Sequence, residues 1–112
     1  GELEIYEDIQ VFIELREKEL AEKLKELKEL KIKEIKDKTA EVILSKYSIN
    51  TQNNIRELRL NATTKKNYTQ EDKTTMLDWI DHIRLQGIEF QEEVDKIKPI
   101  DEYNVYSYEF KI

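Results

Sequence analysis

Residues 76–97 read MLDWIDHIRLQGIEFQEEVDKI, and this stretch decides the expected fold. Its apolar residues recur at steps of 4, 3, 4, 3, 4 and 3, the heptad spacing of a helix that packs along one seam. Glycine occupies one seam position, where we expect either a kink or the close approach of a neighbouring helix. A proline two residues after the stretch is expected to end the helix. The seam consists of Met76, Ile80, Ile83, Gly87, Phe90, Val94 and Ile97.

A second, much longer helix is expected upstream. Residues 3–47 contain no Gly or Pro and are rich in Leu, Glu and Lys, which favours one long helix or two in line. Heptad spacing is followed there by Ile13, Leu20, Leu24 and Leu27, before Lys31 interrupts the seam. Because this seam is too narrow to be buried usefully in a monomer, we predict a coiled-coil stalk that forms a dimer or trimer. The open alternative is an exposed single helix supported by Glu–Lys pairs four residues apart.

Turn-forming residues separate the two long helices. Ser, Asn and Thr at 48–52 interrupt the first helix, a short helix follows, and Thr69 is placed to cap the third helix ahead of Glu71 and Asp72. We therefore predict a mainly all-α fold, with a charged long helix at 1–38, a helical hairpin module at 39–98 and a tail at 99–112. The core of the hairpin is expected to contain Val42, Ile43, Tyr47, Ile55, Leu58, Trp79, Ile80 and Ile83.

The apolar pattern of the tail differs from that of the helices. Tyr106, Tyr108, Phe110 and Ile112 alternate with other residues, which is typical of a strand and not of a helix. We predict one short C-terminal strand. Because a lone strand leaves its edge unpaired, it must pair within the chain, pair with a partner, or fray. We favour a contact strand whose removal abolishes partner binding or assembly.

Residue types that carry chemistry are scarce. The chain has no cysteine and only two glycines, so thiol chemistry, disulfides and glycine-rich phosphate loops are excluded. The single histidine, His82, follows Asp78 by one helical turn, but two ligands do not make a metal site. We predict a protein that is not an enzyme and that has no catalytic residue, no cofactor and no metal.

Charge and hydropathy limit the expected partners. The net charge is −6, and residues 71–102 hold ten acidic and four basic side chains. Because an acidic helix repels phosphate backbones, we expect no nucleic-acid partner. No apolar run approaches the roughly 20 residues that a membrane span requires. The sequence predicts a soluble protein, without a membrane span, whose partners are proteins.

Residues 39–84 contain four segments in a particular order. They are ILSKYS at 43–48, QNNI at 52–55, YTQED at 68–72 and MLDWIDHIR at 76–84. An apolar helix thus ends in a tyrosine-containing turn, a Gln-Asn helix follows, and a capped helix carries Trp-Ile and an arginine. This pattern resembles a helical module of tailed-bacteriophage tail and tail-fibre-associated proteins. The resemblance implies a virion structural or assembly role without catalysis.

Two functions from different classes are consistent with these patterns. The first is a structural or assembly component of a phage tail or tail fibre, located in the virion tail or in the host cytoplasm during assembly. The alternative is a coiled-coil adaptor or assembly chaperone that binds its partner transiently. A structural component is expected to co-purify with finished particles, and a chaperone is not. The candidate interface residues are Ile13, Leu20, Leu24, Leu27, Gly87, Phe90, Val94, Tyr106, Tyr108 and Phe110.

Overall fold

The computed structural model is an elongated helical protein that measures 87 × 18 × 17 Å. It describes the backbone of residues 2–112 and the side chains from residue 5 onward, so the first residue of the predicted stalk lies outside the described residues. The long first helix, the short second helix and the heptad-patterned third helix are confirmed. The described elements are α1 (Glu2–Lys46), α2 (Ile49–Arg56), β1 (Leu60–Asn61), β2 (Lys66–Asn67), α3 (Gln70–Asp95) and α4 (Ile100–Val105).

α1 and α3 pack as an antiparallel hairpin. At one end of the hairpin, Val42 of α1 belongs to the same buried cluster as Ile83 of α3. At the other end, Lys28 of α1 reaches the carbonyls of Asp95, the last residue of α3, and of Ile97 just after it. The α3 seam therefore closes against the chain's own α1, which runs unbroken through the predicted boundary at residue 38. The buried apolar residues are Leu24, Ile35, Val42, Ile43, Ile55, Met76, Ile80, Ile83, Val94 and Ile97.

Gly87 allows the two long helices to approach closely. A Cβ built on Gly87 would overlap the hydroxyl of Thr39 and lie 3.2 Å from its methyl carbon. The Thr39 hydroxyl is held in that place because it donates a 2.6 Å hydrogen bond to the carbonyl of Ile35. Of the two expectations for this glycine, close helix approach is the one that the structure shows.

The C-terminus of α3 is capped from another helix. α3 has no basic residue in its own last turn. Instead, Lys28 Nζ donates to the carbonyls of Asp95, at 2.7 Å, and Ile97, at 2.9 Å. A cation there satisfies carbonyls that have no partner within the helix and offsets the partial negative charge of the helix end. Lys28 thereby ties the C-terminal end of α3 to α1.

The connection between the helices uses standard capping geometry. Thr69 and Asp72 form the reciprocal capping box that starts α3, at 3.1 and 2.8 Å, which confirms the predicted helix start. At the end of α2, the amides of Leu58 and Arg59 bond back to carbonyls of the last turn, at 3.1 and 2.8 Å. This turn holds Leu58 at φ 52 and leaves it 36% exposed. The prediction that Leu58 lies in the core is wrong, because the helix ends there and turns its side chain outward.

The predicted C-terminal strand is also wrong. α4 ends at Val105, and residues 106–112 have no regular secondary structure, while the sheet among the described residues is the two-residue ladder of β1 and β2. The alternation itself is real, since residues 106, 108 and 110 are half-buried and their neighbours are exposed. The segment lies against helices, which offer no sheet edge, so side chains take the place of ladder bonds.

Candidate interaction surface

The N-terminal half of α1 is uncovered. Every described side chain from Ile5 to Lys23 is exposed, whereas burial against the rest of the chain begins at Leu24. Eight large apolar side chains of this half are at least 40% exposed: Ile5, Tyr6, Ile9, Val11, Phe12, Ile13, Leu15 and Leu20. Exposed apolar side chains concentrated on one segment, and not scattered singly, mark an interaction site.

Four of these eight residues fall on one face of the helix. At 3.6 residues per turn, one line along α1 gathers six apolar and two basic residues within about 80° of the circumference. We call this line the N-terminal stripe: Ile5, Ile9, Phe12, Arg16, Leu20, Lys23, Leu27 and Leu30. Phe12 and Leu30 are each 64% exposed. Val11, 54% exposed, lies on another face and serves as a comparison below.

Charge is distributed unevenly along the same helix. Residues 5–14 carry three acidic side chains and no basic one, a net charge of −3. Residues 23–33 carry five lysines and two glutamates, a net charge of +3. The two blocks lie at opposite ends of the N-terminal stripe. This polarity affects how two such helices can pair.

The candidate interface residues separate into three groups. Ile13 and Leu20 are exposed on the uncovered half of α1, whereas Leu24 is buried and Leu27 is half-buried in the hairpin. The second group lies on α3: Gly87 and Val94 are buried within the hairpin, and Phe90 is half-buried under the tail. Tyr106, Tyr108 and Phe110 form the third group, which packs on the chain's own helices. The structure thus leaves the first pair free for a partner.

The tail is held by aromatic packing and hydroxyl bonds. The ring of Phe90 lies 5.2 Å from Tyr108 and 5.1 Å from Phe110, the latter edge to face. Tyr106 donates to Glu93 of α3, at 3.0 Å, and Tyr108 donates to a carboxylate of α1, at 2.9 Å. The three alternating rings therefore bridge both long helices. Of the alternatives left open for this segment, pairing within the chain is the closest description.

A glutamine on α3 supplies the pairing that a strand would have needed. Gln86 accepts from the amide of Lys111, at 2.7 Å, and donates to its carbonyl, at 2.8 Å. The same carbonyl lies 3.1 Å from Nε2 of His82. His82 is thus engaged with the tail and not with Asp78. Nothing in the sequence pattern pointed to these residues, because an exposed Gln and His on a helix look like ordinary solvated surface.

The tail contacts perturb the titration of the groups that make them. Burial, assisted by the bond to Glu34, raises the pKa of Tyr108 to about 12. Burial and the Glu93 carboxylate raise the pKa of Tyr106. In return, the Tyr108 hydroxyl lowers the pKa of Glu34. The neutral tyrosine and the ionised glutamate are therefore the forms that the docked tail favours.

Among residues 5–112, no group of three or more His, Asp or Glu side chains is arranged to hold a metal ion. In the described part of the chain, no helix is both long and apolar enough to cross a membrane. Comparison with protein-family models, curated proteins and solved structures finds no match for this chain.

Proposed function

We propose that this protein is a non-enzymatic structural or assembly component that self-associates through α1 and presents its hairpin end to a protein partner. The uncovered N-terminal stripe is the observation that carries the proposal. A lone helix with six apolar residues on one face gains by burying them, at about 25 cal/mol per Å² of apolar surface removed from water. The hairpin leaves five of the six exposed and only Leu27 half-buried.

The opposite end of the molecule supports a docking role. Along the segment that leads from the end of α1 through α2 to β1, three large apolar residues are exposed: Leu44 at 45%, Ile49 at 59% and Leu60 at 57%. They lie at the far end from the stripe, so a protein partner bound there would not compete with self-association through α1. The elongated shape separates the two surfaces, as expected of a spacer.

The biological setting is proposed from the sequence resemblance of residues 39–84. We place the protein in a phage tail or tail fibre, either in the virion or engaged in its assembly. Quantitative mass spectrometry of purified particles tests this setting. A fixed copy number relative to the major tail protein is expected, whereas absence from finished particles would favour the adaptor or chaperone alternative.

Self-association is tested with a matched pair of variants. Phe12→Glu places a charge on the stripe, and Val11→Glu places the same charge one residue away on another face, at a side chain of similar exposure. Light scattering at tens of micromolar is expected to show a dimer or trimer for the parent and for Val11→Glu, and a monomer for Phe12→Glu. A monomeric parent, or equal loss in both variants, would refute the proposal.

A further inference from the structure

We infer that the partner of the N-terminal stripe is a second copy of this chain running antiparallel, so that the assembly is a two-fold dimer with its hairpins at opposite ends. The inference rests on the proposed self-association and adds its orientation and number. Three features of α1 support it: the spacing of the stripe, the place of its two cations and the distribution of net charge along the helix.

The residues of the stripe have nearly the same spacing in both directions along the helix. Its steps are 4, 3, 4, 4, 3, 4 and 3 residues. When two stripes run in opposite directions about a centre near residue 18, Ile5 meets Leu30 of the second copy and Ile9 meets its Leu27. An isologous pair requires this self-complementarity, since each contact must occur twice. The apolar residues at the two ends of the stripe therefore cover each other.

The two cations of the stripe distinguish the orientations. Arg16 and Lys23 interrupt an otherwise apolar face. In a parallel, in-register pair each would face its own copy, and like charges brought together in a partly desolvated seam are unfavourable. In the antiparallel pair Lys23 lies beside Phe12 of the second copy, where a cation can sit over an aromatic ring. Arg16 then lies beside Leu20 and within reach of Glu19.

The net charges of the two segments favour the same orientation. Parallel pairing would place residues 5–14, net −3, beside themselves, and residues 23–33, net +3, beside themselves. Antiparallel pairing places each acidic block beside the lysine-rich block of the other copy. The same net charges disfavour a parallel trimer. They also predict that association weakens with added salt, because charges exposed to solvent are screened.

Orientation sets the length of the assembly. A single chain is 87 Å long. Overlap about residue 18, at 1.5 Å per residue, gives an antiparallel dimer about 130 Å long, whereas a parallel in-register dimer stays near the length of one chain. The antiparallel dimer is thus a bipolar strut that offers one hairpin end at each tip.

Disulfide trapping tests the orientation, since the chain has no cysteine of its own. Ile5→Cys and Leu30→Cys are made separately, both at exposed positions at the ends of the stripe. In the antiparallel dimer two copies of residue 5 are about 38 Å apart, far beyond the 7 Å or so between Cα atoms that a disulfide spans. Neither variant alone should cross-link, and an equimolar mixture should give the mixed dimer.

Light scattering and small-angle X-ray scattering on the uncross-linked parent chain complete the test. A dimer with a maximum dimension of about 130 Å and only mixed cross-links supports the inference. A dimer near 90 Å, or efficient cross-linking of Ile5→Cys with itself, overturns the antiparallel orientation while leaving self-association intact. A trimer also overturns it. A monomeric parent overturns both this inference and the proposed self-association.

Discussion

Gly87→Ala examines the closest contact between the two long helices. In an ordinary helix interior the change from Gly to Ala adds about 1 kcal/mol of stability, because alanine has the higher helix propensity. At residue 87 the new methyl group would overlap the Thr39 hydroxyl and lie 3.2 Å from its methyl carbon. Both γ atoms of the threonine thus lie near the new group, and rotation about χ1 to relieve the overlap would break the bond from the hydroxyl to the Ile35 carbonyl.

The expected change in the free energy of unfolding is the difference between two opposing effects. Overpacking a close contact costs about 1–3 kcal/mol, because side chains or backbones must shift. After the gain in propensity is subtracted, we expect Gly87→Ala to lower the free energy of unfolding by up to about 2 kcal/mol. For a domain of this size, about 1 kcal/mol corresponds to roughly 4–8 °C in Tm.

A Thr39→Ala background tests whether the overlap with Thr39 causes the loss of stability in Gly87→Ala. That substitution removes both overlapping γ atoms and leaves a Cβ 3.4 Å from the built Cβ of residue 87, an ordinary van der Waals contact. In this background Gly87→Ala should stabilise the protein by up to about 1 kcal/mol. Urea unfolding followed by circular dichroism measures all four proteins of the cycle. Stabilisation of similar size in both backgrounds would refute the close-contact argument.

Three further changes have defined outcomes. Trp79→Ala should lower the free energy of unfolding by about 3 kcal/mol. Trp79→Phe should cost much less, because an aromatic ring stays against Tyr47 and the lost indole N–H has no acceptor among the described residues. Urea titration of the two variants measures this difference in stability. Leu58→Gly should raise Tm by a few degrees, because about 1 kcal/mol of left-handed backbone strain at φ 52 is removed. The bond between Tyr108 and Glu34 should give tail docking a pH window. The tyrosine contribution is complete below its ordinary pKa of 10.0 and is lost as pH rises towards about 12. The glutamate contribution is complete above its ordinary pKa of 4.5 and is lost as pH falls through the lowered value. Tyr108→Phe should remove most of both dependences, and an unchanged pH profile of Tm in that variant would contradict the assignment.

The sequence by itself determined the helices. An unbroken heptad from Met76 to Ile97 and a glycine-free stretch before residue 47 predict two long helices, because local propensity and apolar periodicity act over a few neighbouring residues. The capping box at Thr69 was readable for the same reason. Most of the hairpin core could likewise be named, since apolar residues on facing stripes have few other places to go.

Only the tertiary structure decided which surfaces face each other. Heptad spacing at Leu24 and Leu27 cannot say whether the helix in contact belongs to the same chain or to another. The structure buries Leu24 and half-buries Leu27 within the same chain. Alternating rings at 106–110 cannot distinguish a strand from an extended segment on helices, because both bury every second residue. The Lys28 cap and the Gln86 clamp join residues far apart in the chain, so no local pattern encodes them. The N-terminal stripe is identified as an exposed surface by the pattern of burial in the structure, and not by the heptad spacing of the sequence.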